Sequence, residues 1–251
     1  MLMTTQQKKY TSEKEYLKGY DIKDYDSFLV TVDVSIFTLV DNELHVLLVK
    51  RGDYPQKGKW ALPGGFIQQG KDKNLHDAAL RKLLEKTGVK TFHLEQVSTY
   101  GDAKRDPRGW SISTLYMGLI PHVPTAETSD SIEEAKWWPY EEALRKKMAY
   151  DHKKLMQEAR ERLKAKSGYT VLPMYLLKAP FTLTQLQQAF EELMDTTIEK
   201  KSFRRRIQAA DLLEEVGEGL PEGGRGRMAA LFKPKKGSCR HAFVRRFGSE
   251  E

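Results

Sequence analysis

The sequence predicts a mixed α/β domain followed by a smaller domain of two short helices and a β-hairpin. Three observations predict it. A β-branched run with period-two alternation begins at Ser27, strand and helix patterns then alternate to about residue 149, and two amphipathic helices precede a Gly-rich segment beyond residue 168.

Residues 1–26 are polar, charged and tyrosine-rich, and read as an arm with a short helix near residues 13–19. The run FLVTVDVSIFTLV alternates at Val30, Val32, Val34 and Ile36. With the turn at Asp41-Asn42-Glu43 and the following LHVLLVKR it predicts a β-hairpin. A helix is predicted near residues 74–86, with Leu75, Ala79 and Leu83 on one face and Gly88 as its stop. Strands follow near 91–100 and 110–119, and EEAKWWPYEEAL predicts a last strand that turns into a helix. Residues 150–165 form a charged helix with Leu155, Ala159 and Leu163 on its apolar stripe. Beyond it, Thr182 or Thr184 is placed to cap the helix LTQLQQAFEELM. After the turn DTTIE comes a second helix, KKSFRRRIQAADLLEE, and then the Gly-rich segment.

The expected organisation is an arm (1–26), an α/β sensor domain (27–149), a linker helix (150–167), a small reading domain (168–236) and a basic tail with little structure (237–251). With 39% hydrophobic and 31% charged residues, the composition fits a soluble globular protein. One cysteine excludes an intrachain disulfide and a thiolate zinc site. The first nine residues lack the apolar run of a signal peptide, and no segment approaches the ~18 apolar residues of a membrane span. A cytoplasmic protein with no membrane partner is expected.

The net charge of +7 suits an anionic partner, although a solvated basic surface produces the same value. The charge is concentrated: residues 200–246 hold 13 Lys or Arg against five Asp or Glu. In KKSFRRRI, Phe203 and Ile207 form one apolar stripe, and Lys200, Lys201, Arg204, Arg205 and Arg206 face elsewhere. An apolar back with a cationic front is what a major-groove recognition helix requires. The preceding amphipathic helix and short turn complete a helix-turn-helix. Gly223-Gly224 supplies a tight hairpin turn with Arg225 and Arg227 beside it, which makes the whole a winged helix. Thr184, Gln185 and Ser202 join these lysines and arginines as candidate DNA contacts.

In the first domain, WALPGGF and the following AALRKLLEKTGV carry a second pattern. Together with the hairpin before them they resemble the Nudix hydrolase family. Gly65, Arg81, Leu83, Glu85, Gly88 and Val89 fit its motif. The acidic positions do not. Lys82 stands in the Arg-Glu pair, Lys86 in the Glu-Glu pair, and Lys71 or Lys73 at the upstream Glu. In the family these glutamates hold divalent ions. A unit charge ~4 Å away contributes ~4 kcal/mol at an effective dielectric of 20, so reversing three of them removes the metal site. Lys82, Glu85 and Lys86 therefore mark a degenerate metal position, and the lysines suit direct phosphate binding. A solvated helix face with Lys82 and Lys86 in water is the competing reading.

RDPRGW, residues 105–110, reads either as a charged hairpin tip or as forked donors, Arg105 and Arg108, for phosphate or ribose oxygens. Trp60 and Trp110 serve either base stacking or core packing.

The joined halves resemble the NrtR family of Nudix-related transcriptional regulators, through GKWALPGGFI, RDPRGW, WWP, AYDH, APFTLTQLQ and KKSFRRRI. The resemblance implies a mixed-sheet α/β/α sandwich with a second, smaller winged helix-turn-helix domain. It also implies a homodimeric repressor of NAD metabolism genes, bound to palindromic operator DNA and released by ADP-ribose. Some members of the family are hydrolases, but with the glutamates replaced by lysines no cofactor, bound metal or catalysis is expected here. The candidate ligand contacts are Arg51, Trp60, Gly65, Phe66, Arg81, Arg105, Asp106 and Arg108. An active ADP-ribose pyrophosphatase with a fused nucleic-acid-binding module is the alternative.

Overall fold

The computed structural model describes residues 10–91, 93–121, 131–219 and 228–247. The arm carries α1 (Glu13–Gly19), capped by Ser12, which buries none of its residues. Strand β1 (Leu29–Val40) is the spine of the first domain. It turns through Asp41 and Asn42, both at positive φ, into β2 (Glu43–Arg51). Two such residues form the tight turn whose twist matches a hairpin.

Short strands β3 (Trp60–Ala61) and β4 (Gly64–Phe66) lead to α2 (Leu75–Thr87). Asn74 caps the start of α2 and Gly88, at φ 67°, ends it. Then come β5 (His93–Asp102), β6 (Ser111–Leu119), β7 (Ile132–Pro139), the single turn α3 (Tyr140–Ala143) and α4 (His152–Ser167).

The seven strands form one mixed sheet. Its main order is β3-β2-β1-β6-β5, with β4 against β1 and β7 against β2. Strands β1 and β6 run parallel and the other pairs antiparallel. Ala78, Ala79 and Leu83 of α2 bury against Val32, Val34 and Ile36 on one face. Leu155, Met156, Ala159 and Leu163 of α4 bury against Phe37, Leu48 and Leu115 on the other. The helix expected as a linker is therefore the third layer of the sandwich.

The second domain begins after a 3₁₀ turn, Leu172–Leu176, whose Leu172 and Leu176 join the first core and whose Met174 joins the second. Strand β8 (Phe181–Thr182) leads into α5 (Leu183–Met194). Thr182, rather than Thr184, is the cap, in a capping box with Gln185. α6 (Lys200–Ala209), β9 (Leu213–Gly219) and β10 (Ala229–Pro234) follow, and the small sheet has the order β8-β10-β9.

Two further expectations need correction. α6 ends at Ala209, because Asp211 at φ 51° turns the chain and LEE enters β9. Within the expected tail, residues 238–247 are structured, and 248–251 lie outside the described residues. Phe243 and Phe247 bury into the second core, and their N–H groups donate to Tyr169 O and Gly168 O, each at 2.7 Å. The wing tip, with Gly223, Gly224, Arg225 and Arg227, lies outside the described residues.

Candidate functional site

A cavity of about 260 Å³ opens where β4, α2 and the loop after β5 converge. Two glycines shape it. A Cβ at Gly64 would collide with the Asp33 carboxylate and the Val32 carbonyl. Gly65 has φ 147°, and a Cβ there would press on the Lys82 side chain at 3.3 Å. Only glycines let this strand lie so close to β1 and α2.

α2 supplies the cationic wall. Lys82 and Lys86, one turn apart, line the cavity with Arg51. The Lys86 ammonium donates to Ser131 Oγ. Burial, aided by Lys82 and Arg51, pushes its pKa down. Glu85 is already engaged: Arg81 Nη1 donates to its two oxygens at 3.0 and 3.1 Å, and Lys82 Nζ donates at 3.1 Å. Burial opposes its ionisation, but the bonds from Lys82 and Arg81 prevail and hold its pKa below the ordinary value.

Asp72, an acid between Lys71 and Lys73 that motif spacing missed, receives Arg81 Nε at 2.6 Å. That bond holds its carboxyl down to about 2. Arg81 is thus an internal clamp between Asp72, Glu85 and the Phe66 carbonyl, and does not line the cavity. A divalent ion takes several oxygen ligands. The motif positions of α2 offer one carboxylate, and two cations hold it. Among the described residues, no group of three or more His, Cys, Asp or Glu is placed to hold a metal.

The loop after β5 supplies the opposite wall. Arg105 is nearly buried and grips Asp151 by two hydrogen bonds, 2.9 and 3.1 Å. Arg108 pairs with Asp106 at 2.7 Å and stacks 4.9 Å over the Phe66 ring. The Asp106 carboxyl is held low by the Arg108 bond. On the floor, Ser113 donates to buried Asp33, and His152 Nε2 lies 3.8 Å from Asp33. His152 Nδ1 accepts from Leu62 N–H at 3.0 Å, so its proton sits on Nε2. Burial pushes the His152 pKa down.

Of the candidate ligand contacts, Arg51, Gly65, Phe66, Arg105, Asp106 and Arg108 line this cavity. Trp60 does not: it packs edge-on against Trp138, 5.4 Å between centroids, as the core reading expected. Sequence reasoning gave no ligand role to Asp33, Tyr150 and His152, which reach the cavity from β1, the turn before α4 and the first residue of α4.

The second domain presents a basic helix. Glu199 caps α6 by accepting from Lys201 and Ser202 N–H. Phe203 and Ile207 are buried, Phe203 lying 5.4 Å from Phe190 of α5. Lys200, Lys201 and Arg205 are exposed; Ser202 and Arg204 are half-buried. Arg206 is not on the open face: its guanidinium stacks 4.0 Å over Phe247 and 4.9 Å over Phe243. Thr184 is exposed at the start of α5, whereas the Gln185 carbonyl is used by the cap. The turn between the helices is pinned by Glu191, which accepts from Ile198 N–H at 2.8 Å.

Comparison with known proteins agrees with this two-part geometry. Residues 30–159 match the model of the NUDIX domain, and 173–233 match the NrtR DNA-binding winged helix domain. Over 216 residues the chain is 44% identical to the ADPR responsive transcriptional repressor NtrR of Acinetobacter baylyi, covering 86% of each chain. The crystal structure of Shewanella oneidensis NrtR complexed with a 27mer DNA is 41% identical, with a TM-score of 0.79 over 86% of this chain and 98% of that one. The NUDIX domain of the same protein, cocrystallised with ADP ribose, is 43% identical, with a TM-score of 0.59 over 61% of this chain and 99% of that one. The chain belongs to the NrtR family, as a NUDIX domain joined to an NrtR winged helix domain.

Proposed function

We propose that this protein is a transcriptional repressor whose NUDIX domain binds ADP-ribose without hydrolysing it, and whose winged helix releases operator DNA in response. One observation carries the reading: Lys82 and Lys86 line the cavity at motif positions where a metal-dependent hydrolase needs carboxylates. There they meet a diphosphate directly, with Arg51 beside them. Charge-assisted hydrogen bonds from lysine and arginine suit such a group. Relatives that bear on the same reading are the A. baylyi repressor and the S. oneidensis NrtR complexes.

Arg105 connects ligand to reader. It lines the cavity and grips Asp151, the residue before α4. On α4, Arg160 donates to Leu193 O at 2.8 Å and Asp195 Oδ1 at 2.9 Å, at the C-terminal end of α5. A diphosphate that recruits Arg105 competes with Asp151 and shifts the seating of α4. The winged helix moves with it. A ligand acts this way only if it binds the two arrangements differently. A tenfold loss of operator affinity needs ~1.4 kcal/mol of such coupling. The working form is a homodimer on a palindrome, two recognition helices reading successive major grooves.

A gel-shift titration with duplexes from the promoters of NAD synthesis and salvage genes tests this. The expected result is a salt-sensitive complex that ADP-ribose dissolves and inorganic phosphate at the same charge does not. A complex indifferent to ADP-ribose, or no complex at low salt, contradicts it.

A further inference from the structure

We propose that the segment after the wing, through Arg240 and Arg245, is a second phosphate-contacting strip of the DNA-binding head, beside α6. The inference rests on the reading that this head binds duplex DNA, and it adds a site outside the matched winged-helix region, which ends at residue 233.

Residues 235–247 contain five Lys or Arg and no Asp or Glu. Such a run is ordinarily a solvated tail, but this one is built into the head. Phe243 and Phe247 are buried and pack on each other, 4.8 Å between centroids; Phe247 also lies 4.9 Å from Phe190 and 5.6 Å from Phe203. Two backbone bonds to Gly168 and Tyr169 tie the segment to the chain leaving α4. With the rings turned inward, Val244 and Arg245 are exposed between them, and Arg240 is exposed just before.

The strip adjoins the recognition helix. Arg206 of α6 lies over both anchoring rings. Burial first, and Arg245 nearby second, disfavour its charge. A chain that fixes cations beside cations raises its own electrostatic energy, and a polyanion offsets that cost. A fixed strip is also a better phosphate contact than a loose tail, since less side-chain and backbone freedom is lost on binding. Phosphate contacts carry no sequence information, so the strip orients the head and leaves base reading to α6.

The test uses the full chain and a mixed-sequence duplex, with the binding constant measured against salt. Each phosphate contact adds about 0.9 to the slope of log K against log salt. The Arg240→Ala/Arg245→Ala variant is expected to lose about two contacts' worth of slope, keep the parent's melting temperature and ADP-ribose affinity, and regain the slope as Arg240→Lys/Arg245→Lys. A variant with the parent's slope overturns the strip while leaving the head's DNA binding intact. A parent chain that binds no duplex at low salt overturns both.

Discussion

Lys86 is half-buried, bonded to Ser131, and close to Lys82 and Arg51. Burial and both neighbouring cations oppose its charge, so an entering phosphate relieves a standing electrostatic cost. His152 is the other loaded residue. It is buried beside Asp33, and burial depresses its pKa. The unfolded chain takes up a proton near pH 6.5, whereas the folded chain does so only at lower pH. Stability therefore falls as pH drops below about 6.5 and through the folded pKa. His152→Asn keeps an acceptor for Leu62 N–H and cannot titrate. Its denaturation midpoint is expected to fall less than the parent's between pH 7 and 5; equal slopes contradict the assignment. At this scale the sequence was partly legible. Glycines and charged loop residues announced the cavity, because turns and close approaches demand particular residues. The Arg81 clamp did not, because its partner Asp72 sits between Lys71 and Lys73, either of which fits the motif's upstream position. His152 and Asp33 meet only through the fold.

The helices were the most legible elements. Asn74 and Gly88 bound α2, and Thr182 opens α5, as side-chain caps require. The end of α6 was hidden, because AADLLEE keeps helical periodicity while Asp211 adopts a left-handed turn and β10 recruits the strand. The C-terminal segment was misread for a related reason. Two phenylalanines four apart among Gly, Ser and Arg make no recognisable strand or helix, yet each finds a ring to pack on. Phe247→Ala removes a nearly buried ring from Phe190, Phe203 and the Arg206 stack. A loss of about 3–5 kcal/mol from the second domain is expected, the usual cost of emptying such a site. Thermal unfolding followed by near-UV dichroism reads it. A change under 1 kcal/mol contradicts the anchoring role.

Across the whole molecule, the two cores are joined. Leu193 of α5 packs with the first core while Leu186 and Phe190 on the same helix pack in the second. Glu192 accepts from Leu44 N–H at 3.0 Å, across the β1–β2 hairpin. With Arg160 bonding to the end of α5, reader and sensor share a packed boundary instead of a bare linker. Composition could not reveal this. The apolar stripe of α4 is compatible with either role, and only the sheet's second face decides between them.

In the proposed repressor, lysines rather than metal ions hold the ligand's diphosphate and leave it whole. Calorimetric titration of the full chain with ADP-ribose, in magnesium and again in EDTA, with chromatography of the recovered nucleotide, tests it most directly. The expected result is equal affinity in both buffers, ADP-ribose recovered intact, and affinity at least about tenfold weaker in Lys82→Ala/Lys86→Ala, since hydrogen bonds to charged groups contribute about 1.5–3 kcal/mol each. Binding that disappears in EDTA, or AMP accumulating in magnesium, would contradict it.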